Sequence, residues 1–201
     1  LWQDALNKAP YSARALSVLA KEIGWKREQN RENYLKSLEY YSLALKGYYP
    51  SKAFYASILG NMGELNLLYG EYHSAIIYYR KSLSSNSDFV FSRHGLAKAY
   101  QLTGSFNNAL NEISTVLESH KYNPVFYNLK GIVLLWLNRP IEAQKSFLEA
   151  IQLHPSDDKR PLFYNLGSAF SIAKQFSKAQ ELLRAAHEFS PQDINILFSY
   201  L

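Results

Sequence analysis

Apolar and polar residues alternate along this chain with two periods at once. Within short segments the apolar positions recur every three or four residues, as one face of a helix requires. Tyr127, Gly131 and Leu134 follow this spacing in 124–137, and Ala143, Phe147, Ala150 and Ile151 follow it in 141–153. On a longer scale, Gly63, Ala97, Gly131 and Gly167 stand 34, 34 and 36 positions apart, and Ala75, Ala109, Ala143 and Ala179 repeat that ladder twelve residues later. A period near 34 predicts a stack of one supersecondary unit, because each unit alone cannot bury its apolar face.

Aligned on these ladders, the chain reads as units at 56–89, 90–123, 124–157 and 160–193, with Asp158 and Lys159 as a two-residue insertion. Each unit predicts two antiparallel amphipathic helices and a short turn. Asn138-Arg139-Pro140 breaks one helix, and Pro140 suits the first turn of the next, where its missing N–H has no intrahelical partner in any case. Gly70 and Gly104 hold the equivalent turn in the two preceding units, where a reversal of the chain needs positive φ. The small residues of the ladder are expected to let the second helix's backbone approach the first. Aromatics are expected to fill the wider gaps: Tyr72, Phe106 and Phe176 after the turns, and Tyr79 and Phe147 farther along the second helices.

These residues resemble the tetratricopeptide repeat, a 34-residue helix-turn-helix unit. The last complete unit carries the family's pattern as Phe163, Leu166-Gly167, Phe170, Ala179, Leu183, Ala186 and Pro191. The preceding unit carries it as Tyr127, Gly131, Ala143, Phe147, Ala150 and Pro155, with Lys130 where leucine is expected; Ser87 and Lys121 replace the closing proline in the earlier units. The resemblance implies an all-α fold, a right-handed α-solenoid of antiparallel helix pairs forming one domain over 1–201. It divides into 1–12 as the second helix of a truncated repeat, 13–55 as a repeat with an extended turn, repeats at 56–89, 90–123, 124–159 and 160–193, and 194–201 as the start of another repeat or a capping helix. The extended turn is the polar stretch 25–32, about five residues longer than the family needs. The apolar run 194–201 is a poor polar cap, so the chain reads as a fragment with terminal helices open to self-association.

In the family's register the concave face is lined by first helices. The resemblance places Arg14, Ser17, Val18 and Lys21 there, then Ser57, Gly60, Asn61 and Glu64, then Phe91, His94, Gly95 and Lys98. Val125, Asn128, Leu129 and Ile132 follow, and then Pro161, Tyr164, Asn165 and Ser168. The partner-binding candidates among them are Arg14, Lys21, Asn61, Glu64, His94, Lys98, Asn128, Tyr164, Asn165 and Ser168. Asparagine amides offer both a donor and an acceptor to the backbone of an extended peptide. The carboxylate clamp of chaperone-binding family members is not expected, because only Asn61 fits it and Ser17, Lys21, Phe91 and Gly95 hold its other positions.

Composition narrows the chemistry. With no cysteine, disulfides, thiolate zinc sites and a cysteine nucleophile are excluded. The five histidines form no metal-binding pair at helical spacing, the glycines are isolated, and no catalytic, metal or cofactor site is expected. A net charge of +5 invites a nucleic-acid reading, but Lys and Arg are spread over every repeat and the densest group, Lys26-Arg27 with Arg31, is interrupted by Glu28 and Glu32. No stretch reaches the roughly 18 to 20 apolar residues of a spanning helix. The expectation is a non-catalytic scaffold that binds a protein or extended peptide in its groove, cytoplasmic or the soluble part of a bacterial membrane protein. The alternative is an accessory module of a larger membrane-associated enzyme, such as an envelope glycosyltransferase or polysaccharide ligase. The opening Leu-Trp-Gln-Asp-Ala-Leu, with Pro10 and Ala13-Arg14-Ala15, is similar to the entry of repeat regions in such proteins.

Overall fold

The computed structural model describes residues 12–25, 30–47, 51–154 and 159–188. The expected helices within 1–11 and 194–201, and residues 26–29 of the long turn, therefore lie outside the described residues. Among these residues the structure is entirely helical. The helices are α1 (Ala13–Gly24), α2 (Arg31–Lys46), α3 (Lys52–Leu68), α4 (Tyr72–Ser85), α5 (Val90–Leu102), α6 (Phe106–Ser119), α7 (Pro124–Trp136), α8 (Pro140–Leu153), α9 (Arg160–Ile172) and α10 (Phe176–Glu188). They group into two compact units, Leu1–Ser105 and Phe106–Leu201.

Local signals set the helix ends. Ser12, Asn30, Ser51 and Asn123 are N-caps whose side-chain oxygens accept backbone N–H groups of the first turn, from Ala15, Asn33, Phe54 and Val125. Because Ser51 caps it, α3 begins one turn before the ladder's boundary at 56. Arg31 and Glu32, read from sequence as part of the long turn, instead open α2.

The turns after α3, α5, α7 and α9 share one geometry. Gly70 (φ 77°), Gly104 (φ 75°), Asn138 (φ 55°) and Lys174 (φ 59°) are left-handed, and the N–H of the next residue reaches back to the carbonyl of Asn66, Tyr100, Leu134 or Phe170 at 2.8–2.9 Å. This is the Schellman closure, which satisfies carbonyls left over at a helix end. Glycine and asparagine tolerate the left-handed region, whereas a lysine there costs roughly 1 kcal/mol. We expect Lys174→Gly to stabilise the chain by about 0.5–1 kcal/mol in urea unfolding, allowing for the entropy glycine adds to the unfolded state. The neighbouring Gln175→Gly should be neutral or destabilising, and a lowered midpoint for Lys174→Gly would contradict the assignment.

In the first unit, Leu16, Ala20, Tyr41, Ala44, Ile58, Leu59, Met62 and Leu65 form the apolar core. In the second, Leu134, Phe147, Ala150, Leu162, Phe163, Leu166 and Ala169 do the same. The ladder residues are buried, but their role differs from the one expected. The space above Gly63 is filled by the Tyr79 ring, which a Cβ at 63 would meet at 2.7 Å, and the space above Gly131 by the Phe147 ring at 2.5 Å. A side chain, not the approaching helix backbone, therefore demands the glycine. At Gly167 the smaller Leu183 lies 3.0 Å from such a Cβ, and the Ala179 carbonyl oxygen is 3.5 Å away. Phe176 also departs from expectation: instead of filling an inter-helix gap it is exposed, because the first residue of α10 projects at the end of the helix pair.

Candidate functional site

The candidate residues sit on the first helix of each pair. In the first unit, Arg14 and Lys21 are exposed on α1, two turns apart. Their expected neighbour Ser17 is buried, and its hydroxyl donates to the Arg14 carbonyl, so it belongs to the helix rather than to a binding face. Asn61 and Glu64 on α3 and His94 on α5 are half-buried, and Lys98 is exposed. Gly60 and Gly95, also placed on the face by register, are buried: a Cβ at 60 would meet the Ser92 hydroxyl at 2.7 Å, and one at 95 would overlap the Tyr79 ring.

Around Glu64 the structure assembles more than the sequence showed. Tyr79 lies between Gly63 of α3 and Gly95 of α5, and its hydroxyl donates to Glu64 Oε2 at 2.6 Å. Burial, then the charge and hydrogen bond of Glu64, hold the Tyr79 phenol protonated far above its usual range. The sequence pattern assigns its ring to packing alone; no local signal marks a tyrosine hydroxyl that passes two glycines to reach a carboxylate.

His94 shares this neighbourhood. Burial lowers its pKa below the model-compound value of 6.5, Lys98 lowers it further, and Glu64 opposes both. Protonation is thus disfavoured on folding. Its contribution to stability is full above about pH 6.5 and is lost as pH falls from there toward the folded-state value, where the unfolded chain binds the extra proton. We expect His94→Gln to flatten part of the loss of urea midpoint between about pH 7 and pH 5. An identical pH profile in the variant would sink the assignment.

In the second unit, α7 and α9 bring two candidates into contact. Asn165 Nδ2 donates to Asn128 Oδ1 at 2.9 Å, and both residues are half-buried. The Asn128 amide group and the Asn165 carbonyl oxygen keep a donor and an acceptor for a further partner. Tyr164 is exposed beside them, and it lines a cleft with Arg160, Pro161, Leu183, Ala186 and His187. The Ser168 hydroxyl donates to the Tyr164 carbonyl. Leu129, expected on the face, is buried in the core, while Val125 is exposed. Among the described residues no cluster of three His, Cys, Asp or Glu side chains could hold a metal ion, and no helix is long and apolar enough to cross a membrane.

Comparison with known proteins agrees with this architecture. The family model described as tetratricopeptide repeat matches residues 56–89. No curated protein sequence matches the chain significantly. Among solved structures, BtubC from P. vanneervenii superposes with a TM-score of 0.77 at 17% identity, covering 93% of this chain and 85% of its own. MamA (41-end) from Desulfovibrio magneticus RS-1 gives 0.71 at 16% identity, covering 86% and 94%. YrrB, a TPR protein with an unusual peptide-binding site, gives 0.68 at 18% identity, covering 99% and 97%. At such identities the likeness is one of fold, an all-α helical-repeat solenoid. The match identifies residues 56–89 as a tetratricopeptide repeat, and the recurring turn and small-residue ladder repeat its features along a chain whose fold is that of solved TPR proteins.

Proposed function

We propose that the chain is a non-catalytic scaffold that binds an extended segment of another protein along its first helices. The observation that carries this reading is the Asn165–Asn128 bond, which pre-orients two amides on neighbouring first helices with a donor and an acceptor to spare. An extended peptide lacks neighbours for its own N–H and C=O groups, and side-chain amides satisfy both. Tyr164 supplies an exposed aromatic surface beside the pair, and aromatic residues anchor interfaces at low entropic cost. In the first unit Arg14, Lys21 and Lys98 supply positive charge and Glu64 negative charge, with the neutral Asn61 amide and His94 imidazole on the same helices, which favours a peptide of mixed character over a purely acidic tail. YrrB carries a peptide-binding site on the same fold, which is consistent with this use.

The test begins with peptides selected from a random library against the intact chain. Asn165→Ala and Asn128→Ala should each weaken the selected peptides about tenfold, the loss of one to two hydrogen bonds in a partly desolvated site, with helical circular dichroism unchanged. Unaltered affinity in both variants would remove the pair from the site.

A further inference from the structure

The second unit carries a feature that peptide binding does not use. The end of α7, the start of α8, the end of α9 and the start of α10 all lie at hairpin turns, and antiparallel pairs of matched length place those turns on one edge of the unit. At that edge Trp136 is 65% exposed, Ile141 50%, Ile172 49% and Phe176 65%. Trp136 is stacked on Phe106, the first residue of α6, with ring centroids 5.8 Å apart and planes 7° from parallel. Large apolar side chains grouped at an edge mark an interaction surface, whereas isolated ones do not.

The charges around them are mostly of one sign. Lys174 stands exposed at the left-handed tip of the α9–α10 turn, and Lys178 follows one turn into α10, its ammonium 5.6 Å from the Phe170 ring centre. Arg139, in the α7–α8 turn, makes a two-pronged ion pair with Glu142 at 2.6 Å. Lys130 and Lys145 lie within electrostatic reach of the same carboxylate. Glu181, farther along α10, is the next acidic residue there. In the α3–α4 turn of the first unit the residue after the left-handed glycine is instead acidic, Glu71, which pairs with Arg31 at 2.7 Å.

We propose that this edge of the second unit docks on an anionic lipid surface, Trp136 and Phe176 entering the headgroup layer and Lys174 and Lys178 meeting the lipid phosphates. An amphipathic ring at the interface and long cationic side chains that reach back to the headgroups are the two components such a contact needs. The area is small and the edge is a turn rather than a long helix, so binding depends on both components and is reversible. Each cation near an anionic membrane contributes about fivefold in partitioning, and salt screens that share.

The experiment is sedimentation of the full 201-residue chain with vesicles, either phosphatidylcholine alone or with about one third phosphatidylglycerol. The expected result is binding to the anionic vesicles, loss of that binding at about 0.5 M salt, and a blue shift of Trp136 emission in a Trp2→Phe/Trp25→Phe background. Trp136→Ser/Phe176→Ser should reduce partitioning more than tenfold, and Lys174→Gln/Lys178→Gln about tenfold or more, with helical content and selected-peptide affinity unchanged. Failure of the wild-type chain to bind anionic vesicles would overturn the proposal. So would undiminished binding by both double variants, or a dimer abolished by Trp136→Ser/Phe176→Ser, which would make the edge a contact between copies of this chain.

Discussion

Phe147→Ala should lower the stability of the second unit by about 3–5 kcal/mol, the usual range for truncating a buried phenylalanine to alanine. Phe147 is fully buried in α8, and its ring occupies the space that Gly131 leaves on α7. Removing it discards most of a benzyl group's burial and leaves a cavity walled by rigid helix backbone, which relaxes poorly. The reciprocal change gives the sharper test. Gly131→Val alone forces atoms into the ring, because even its Cβ would lie 2.5 Å from Phe147 Cε1. In the Phe147→Ala background the valine instead enters vacated space. The two substitutions should therefore cost less together than the sum of their separate costs, by at least about 1 kcal/mol in a urea-denaturation cycle. Additive costs would mean that the ring does not sit where the glycine makes room.

Gly95→Ala is the second large effect, with an expected loss of about 2–4 kcal/mol. Overpacking a dense interior typically costs 1–3 kcal/mol, and a displaced hydrogen bond to a charged group adds about 1.5–3 kcal/mol when it is not remade. At Gly95 both contributions apply, since an added methyl overlaps the Tyr79 ring and its hydroxyl, which donates to Glu64 at 2.6 Å. Alanine otherwise suits a helix interior better than glycine, by about 1 kcal/mol, so any net loss reports the collision. Combined with Tyr79→Leu, whose shorter side chain ends before Gly95, the Gly95→Ala substitution should become neutral or mildly stabilising. Thermal or urea midpoints of the four proteins decide this. A destabilisation that persists in the Tyr79→Leu background would place the strain elsewhere.

These two glycines show where sequence and structure part. The ladder exposed Gly63 and Gly131 as structural, and the turn glycines Gly70 and Gly104 as reversal points, because a period near 34 makes equivalent positions comparable within one chain. What occupies the space over a glycine is a tertiary fact, and an aromatic four residues after the ladder alanine looks the same whether it fills a gap or lies over the glycine itself. Gly95 falls outside the ladder and carries no periodic signal. Its reason is the phenol that passes it. Asn138 at a left-handed turn is legible from its type, whereas Lys174 is not, because the closure of the fourth turn overrides the residue's own preference.

The candidate binding face divides in the same way. The register named Asn128 and Asn165 as separate inward positions, but their mutual bond depends on how α9 packs over α7 across the two-residue insertion. Ser17, Leu129, Gly60 and Gly95 share that register and are nonetheless buried, because a helix packed on both sides loses part of the stripe that a pattern assigns to solvent. Periodicity marks a helix's core stripe well. It marks the limits of its free face less well, since those depend on neighbours far along the chain.

The most direct measurement of the central claim is a map of backbone amide shifts in the intact chain on addition of a library-selected peptide. The largest changes are expected on the first helices, α1, α3 and α5 in one unit and α7 and α9 in the other, with the Asn128 and Asn165 side-chain amides among them. Changes concentrated on the second helices, or absent from both asparagines, would contradict that claim.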